Sequence, residues 1–345
     1  MLQGMSAAVA VTTCGGRAFA SEQRAWSSEV LRSLEQEAAR LKLVAFIVRH
    51  NGRDVLSHGD VARVCPVHSM RKSFVSALFG QAVATGAIDI KLTLGDLGID
   101  DGPALSEIEK RATIEDLLKA RSGVYLPLQP GLTPFTDRPA RGAYLPGAHW
   151  CYNNWDFNAL GEIYRRLTHK GVFTAVAHNL AQPIGMRDFD PYRDGAYVFA
   201  DDSLGGTRRY PNYRMSLSAR DQAQFGQLYL QRGKWAGRQI IPEDWIARSF
   251  TSYSDTWMGG SAAGYGYLWW IGAVDGASSS AIRVRSAVGA FGHYVGVLPD
   301  LETVVVVQPD TDDMPSHPVS TDQYDALIRM IAAAHPGCAT SGEKR

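Results

Sequence analysis

"SMRKSFVSALFGQAVATG", residues 69–86, is the stretch on which the reading of the fold turns. Its apolar residues leave no polar face between Phe74 and Val83, and Gly86 closes it. A helix that is apolar all round is a buried helix, so the rest of the chain must wrap it. Its first turn carries Ser69 and Lys72, which on a helix stand at i and i+3 and share one face. Two readings follow. Ser69 caps an ordinary helix, or Ser69 is a nucleophile with Lys72 as its proton acceptor. The pattern alone does not choose, because Ser-x-x-Lys recurs at Ser341–Lys344 in a polar tail.

The flanks set the architecture. On the N-terminal side, Val30, Leu31, Leu34, Ala38 and Leu41 fall at helical spacing and predict an amphipathic helix over 27–41. "LVAFIVRHNGRDVLSHG" follows at 43–59, with Asn51-Gly52 between two β-prone runs, the signature of a two-residue hairpin. On the C-terminal side the chain reads first as helix and loop. Thr113–Asp116 opens a helix as a capping box, with a stop at Ser122-Gly123. A Pro- and Gly-rich stretch covers 123–148, helices cover about 155–168 and 171–183, and Ser218 caps a helix that runs to Leu230. Strands are predicted at 265–272, 281–289, 293–299 and 302–308. The last two are joined tightly through Pro299-Asp300 and so are antiparallel. Tyr324, Leu327, Ile328 and Ile331 mark a closing amphipathic helix.

This order argues for an α/β (α+β) fold: an antiparallel sheet flanked by helices, with an inserted, mainly helical region. Residues 25–85 plus 205–345 are expected to form the α/β domain and 86–204 the helical one, with the site between them. The absence of repeating βαβ units counts against a doubly wound parallel sheet.

Of the 345 residues, 45% are hydrophobic and 20% charged, and the formal net charge is zero. No basic stripe interleaved with aromatics is present, which argues against a nucleic-acid or anionic-membrane partner. No apolar run reaches the roughly 18 residues of a membrane span. Residues 6–13, followed by Ala18-Phe19-Ala20, resemble the apolar core and cleavage site of an export signal. The basic leader is missing and Arg17 interrupts the pattern. A periplasmic or secreted protein with a signal remnant and a cytoplasmic one with a disordered N-terminus both stay open. Cys14, Cys65, Cys151 and Cys338 form no CxxC pair and are read as free buried thiols. No metal-ligating constellation of histidines occurs, so neither a metal nor another cofactor is expected. Oligomeric state leaves no signal.

Lysine serves as a base at neutral pH only if its pKa falls from about 10.4 by about three units, some 4 kcal/mol. Burial behind an apolar helix does this, and the free N–H groups of a first helical turn polarise an oxyanion. "HWCYNNWDF", residues 149–157, adds a phenol at Tyr152 that can relay a proton and an amide at Asn154 that can orient lysine and substrate. A rival Tyr-x-Asn stands at Tyr210–Asn212, in a charged loop. "GAFGHYVGV", residues 289–297, places glycines at a strand entry, where backbone can come close to a bound acyl group or simply bend.

Together these segments resemble the penicillin-recognising serine hydrolases: class C β-lactamases, D,D-peptidases, and the esterases and amide hydrolases of the same fold. The resemblance runs over about 25–335 and rests on Ser69-Met-Arg-Lys72, Tyr152-Asn-Asn154 and the glycine-bearing strand near 290. "ARSGVYLP", "NNWDFNALG", "RMSLSARD", "GYGYLWW" and "VLPDLETVVVV" also look like this group. It implies an acyl-enzyme on Ser69, with Lys72 and Tyr152 moving the proton. The oxyanion would sit between the backbone N–H groups of Ser69 and His293. Tyr125 lies in a loop that borders the site in this family.

The third motif departs from the pattern. β-Lactamases and D,D-peptidases carry a cationic Lys-Thr-Gly or a His-containing triplet there, and Ala290-Phe291-Gly292 offers neither charge nor hydroxyl. A charge-assisted hydrogen bond is worth roughly 1.5–3 kcal/mol. The departure looks more like the esterase and amide-hydrolase branch, including the 6-aminohexanoate-dimer hydrolases, and a small ester or amide is the expected substrate. A β-lactamase or D,D-peptidase, and an inactive penicillin-binding-like sensor, are the alternatives.

Overall fold

A computed structural model describes residues 26–126, 138–199, 209–276, 281–310 and 318–335. The export-like stretch, Cys14, Cys338, the second Ser-x-x-Lys and part of the Pro- and Gly-rich stretch lie outside these residues.

The chain opens with α1 (Ser28–Arg40), whose cap Ser27 accepts from the Val30 N–H. The hairpin β1 (Leu43–His50) and β2 (Arg53–Gly59) follows. Asn51 and Gly52 both take positive φ, 48° and 75°, as the primed turns that match strand twist require. After β3 (Val64–Pro66) comes α2 (Arg71–Ala84), in which every residue from Arg71 through Gly80 is buried. The middle of the chain holds α3 (Ile114–Leu118), α4 (Asn154–Thr168), α5 (Val172–Val176), α6 (Gln182–Ile184) and β4 (Gly195–Val198). Thr113 and Asp116 close both bonds of the expected capping box. Then come β5 (Asn212–Ser218), α7 (Ala219–Leu230) capped by Ser218, β6 (Lys234–Trp235), β7 (Arg238–Gln239) and α8 (Glu243–Ser249). The chain continues through β8 (Ser254–Asp255), β9 (Gly264–Tyr265), β10 (Trp270–Asp275), β11 (Ala281–Gly289), β12 (His293–Leu298), β13 (Thr303–Pro309) and α9 (Thr321–Ala334).

Eight strands form one antiparallel sheet in the order β2-β1-β13-β12-β11-β10-β9-β8. Strand alternation divides each central strand between two cores. Phe46 and Val48 of β1 and Val305 and Val307 of β13 face α1 and α9, where they meet Leu34, Leu327 and Ile331. Ala45, Ile47, Val304 and Val306 face the other way, onto α7 and α2. This explains why "TVVVV" shows no polar face: it is covered on both sides, a pattern more usual in parallel sheets.

Two expected elements differ. The run 265–272 is not one strand but β9, a turn and β10, with Leu268 at φ 61°. Strand alternation would have exposed half of its aromatics, yet Tyr265, Tyr267, Trp269 and Trp270 are all buried. The turn is what turns every ring inward. The helix expected at 171–183 is α5 and α6 joined by a π-helical turn, Ala177–Ala181.

The sheet meets α9 closely at Gly296, where a Cβ would fall 2.1 Å from the Tyr324 hydroxyl. Tyr324 is fully buried, stacked on Tyr294 and hydrogen-bonded with Ser286. Gly296→Val should therefore cost about 2 kcal/mol or more through overpacking, read as a lower urea midpoint.

Candidate active site

Ser69 sits in a single 3-10 turn, His68–Met70, immediately ahead of α2. Its side chain caps nothing, since neither the turn nor α2 has a side-chain cap bond. Lys72 Nζ instead donates to Ser69 Oγ at 2.7 Å and to Tyr152 Oη at 2.9 Å. Three residues from two distant stretches thus meet at one amine. Lys72 is buried, whereas Ser69 and Tyr152 are only half-buried, so the hydroxyls lie on the solvent side of the amine. The Ser69 N–H makes no backbone hydrogen bond among the described residues and is available as a donor.

The Tyr152 loop is held from below. Asn153 caps α4 through the Trp155 N–H, and its amide donates to the Val124 carbonyl. The Ser122 hydroxyl donates to Asp156 Oδ1 at 2.6 Å. The Tyr152 ring stacks on Trp270 at 5.4 Å and packs on Phe157 at 4.9 Å. Lys72 Nζ lies 4.7 Å from the Phe157 ring centroid. The base is thus boxed by aromatic faces and two hydroxyls.

Burial, and then the Arg71 charge, hold the Lys72 amine well below its ordinary value. Burial pushes the Tyr152 phenol up to about 12, against a hydrogen bond with Ser69 and the Arg71 charge. Both shifts favour the uncharged form, a free amine beside an intact phenol. Such a pair can accept a proton at one atom and deliver one at the other.

The third segment reaches the serine through its glycines. A Cβ on Gly289 would lie 2.3 Å from the Val67 carbonyl oxygen, so the end of β11 rests directly on the chain entering the Ser69 turn. Gly292, at φ 93°, lies equally close to Val319. These two glycines allow close backbone contacts with Val67 and Val319. Ala290–Gly292 forms a tight turn rather than strand, with Phe291 at φ 66° and 39% exposed. The Phe291 ring lies edge-on to His68 at 5.1 Å.

His293 begins β12, paired with Gly289, and is fully buried with its ring 5.4 Å from that of His68. Burial depresses His293 to about 3 and His68 to about 4. Both imidazoles are neutral at pH 7. The His293 side chain therefore supplies no replacement for the missing third-motif cation.

The remaining expected residues are placed as follows. Asn154 opens α4, half-buried, and makes no hydrogen bond to Lys72, because Asn153 has taken the capping position. Tyr125 is buried, with its hydroxyl unpartnered and its pKa raised by burial and by nearby Cys151. The rival Tyr210 is a buried strut: its hydroxyl donates to the Asp100 carbonyl and accepts from the Asp100 N–H. Cys65 is buried and Cys151 half-buried. Among the described residues no cluster of metal-ligating side chains occurs, and no helix is long and apolar enough to cross a membrane. Sequence reasoning missed Arg71, Asp156 and Trp270. Arg71 stood inside the quoted motif, and a basic residue within a buried helix was the available signal.

A model of the family described as Beta-lactamase matches residues 31–329. No curated protein sequence matches significantly. Among solved structures, the Bacillus anthracis protein called "Putative 6-aminohexanoate-dimer hydrolase" superposes with TM-score 0.62 at 20% identity, over 86% of this chain and 80% of that one. An octameric penicillin-binding protein homologue from Pyrococcus abyssi gives 0.61 at 17%, over 89% and 76%. A protein from Bacteroides dorei described as a putative beta-lactamase gives 0.63 at 17%, over 89% and 99%. At these identities the likeness is one of fold.

Proposed function

Because the chain belongs to the beta-lactamase family, we propose that it hydrolyses a small ester or amide through an acyl-enzyme on Ser69. The observation that carries this reading is the Lys72 amine, 2.7 Å from Ser69 Oγ and 2.9 Å from Tyr152 Oη, buried where it is disfavoured as an ammonium. Ser69 Oγ attacks the acyl carbon as its proton passes to Lys72. The oxyanion is held by the Ser69 N–H and by the N–H of His293 at the start of β12. Tyr152 protonates the leaving group and takes its proton back from Lys72. A water then attacks the acyl-enzyme, giving its proton to the same pair, which returns a proton to Ser69 Oγ as it departs.

The half-buried Asn154 amide is available to the substrate, as is exposed Phe291; Gly292 shapes the turn, and Tyr125 lies behind the Tyr152 loop. Ser69 and Lys72 come from the first expected domain, Tyr152 from the helical one and His293 from the last stretch. That origin supports a site between the two.

The third segment decides among acyl groups. Ala290-Phe291-Gly292 carries no charge, and burial keeps His293 neutral, so a carboxylate-bearing β-lactam finds no cation there. Intact-protein mass spectrometry with a fluorophosphonate should show one adduct, on Ser69. In a panel of p-nitrophenyl esters and small amides run beside nitrocefin, the best ester should lead nitrocefin by at least about tenfold in kcat/KM, the lower bound set by a lost charged hydrogen bond. Nitrocefin turnover matching the best ester would return the β-lactamase reading. A folded protein that takes no adduct would favour a non-catalytic sensor.

A further inference from the structure

We propose that Arg71 is a positioning residue of this site: its buried guanidinium, partnered by no carboxylate among the described residues, anchors the Ser69 turn through the His68 carbonyl and sets a fixed positive charge beside Lys72. The inference rests on the reading of Ser69 and Lys72 as nucleophile and base.

Arg71 is 4% exposed. A buried charge ordinarily has an ionic partner, because desolvating it alone is costly. Among the described residues Arg71 has none. Its Nη1 donates to the His68 carbonyl at 2.8 Å, its guanidinium lies 4.9 Å from the centroid of the Tyr213 ring, and its Nε finds no acceptor. The carbonyl it holds belongs to a residue at φ 49°, in the turn that presents Ser69.

Among the described residues no carboxylate pairs with Arg71 or Lys72. Toward Lys72 stand Ser69, the Tyr152 phenol and, beyond that ring, Tyr265 of β9. Asp156 of α4 is buried, and that burial raises its carboxyl well above the usual range and favours its uncharged form. From β5 come Tyr213 and the exposed cation Arg214, and from the Ser69 turn and β12 the neutral imidazoles of His68 and His293. Two basic side chains are therefore buried side by side with no ion-paired carboxylate between them among the described residues. A guanidinium does not deprotonate in a protein, whereas a desolvated lysine readily does. Lys72 is the one that gives up its proton. The same fixed charge favours electron density on Tyr152, to which it contributes an opposing pull.

The rate of Ser69 labelling by a fluorophosphonate as a function of pH tests this without knowledge of the substrate. Labelling falls as Lys72 gains its proton, so the acidic limb reports Lys72. Arg71→Gln keeps a donor for His68 but removes the charge; Arg71→Met removes both. In each the limb should move to higher pH by about one unit, and Arg71→Met should also label more slowly on the plateau. An unmoved limb in either folded variant overturns the inference and leaves Arg71 a structural residue; if one variant does not fold, the other decides. Ser69→Ala labelled as fast as wild type would instead overturn the nucleophile assignment, so the two failures are distinguishable.

Discussion

Ser69→Ala should lower ester hydrolysis by roughly 10⁴–10⁶-fold, the loss seen when a serine nucleophile is removed, and abolish the fluorophosphonate adduct. It should do so at nearly unchanged stability. If Ser69 were a helix cap, alanine would cost about 1 kcal/mol. Here the hydroxyl caps no backbone group, and its hydrogen-bond donor is Lys72. Lys72 keeps the Tyr152 oxygen as a partner when the serine is gone. Activity measured alongside urea denaturation therefore separates the two readings with which the quoted stretch began. Full loss of turnover with a midpoint shift below about 0.5 kcal/mol is the outcome for a nucleophile. A stability loss near 1 kcal/mol with turnover intact would identify a cap.

Much of this site was legible because its residues lie at element ends, where sequence signals are strongest. The Asn51-Gly52 turn, the Thr113–Asp116 box and the Ser218 cap are local devices with local signatures, and each stands where its residues put it. Ser69 and Lys72 share one turn, so their approach is fixed by helical spacing. The meeting with Tyr152, 80 positions away, was foreseen only through the joint resemblance, because nothing local encodes it. What escaped reading is non-local in the same way. The break at Gly266–Trp269 is invisible in a run of aromatics that all favour strand, and its cause is tertiary: the Leu268 carbonyl accepts from Ser73 of α2, and its N–H donates to Leu118. Gly289 and Gly292 read equally as close approach to an acyl group or a bend, and what the structure adds is their tight packing on Val67 and Val319. Asn153 and Asn154 are indistinguishable as candidates until the helix start assigns one of them to capping.

Lys72→Met should reduce turnover by roughly 10²–10⁴-fold and at the same time make the protein more stable by about 1–3 kcal/mol. The two effects have one cause. In the unfolded chain Lys72 is a hydrated ammonium; in the fold it is buried, and burial with the adjacent Arg71 charge pulls its amine well below the ordinary 10.5. Folding therefore works against the charged form of this amine, which costs stability. Methionine has nearly the same length, no charge, and a thioether suited to the Tyr152 and Phe157 rings that flank Nζ. The sign with pH follows from the depressed value. The wild-type penalty is full below the folded pKa and shrinks as pH rises toward 10.5, where the unfolded lysine also releases its proton. The stability gap between Lys72→Met and wild type should accordingly be wide at pH 7 and narrow at pH 10, measured by urea denaturation at both. A variant less stable than wild type at pH 7, or a gap that widens with pH, would mean that Lys72 is held as an ammonium in the fold. An ammonium has no lone pair with which to take the Ser69 proton, so that result would move the base from Lys72 to Tyr152.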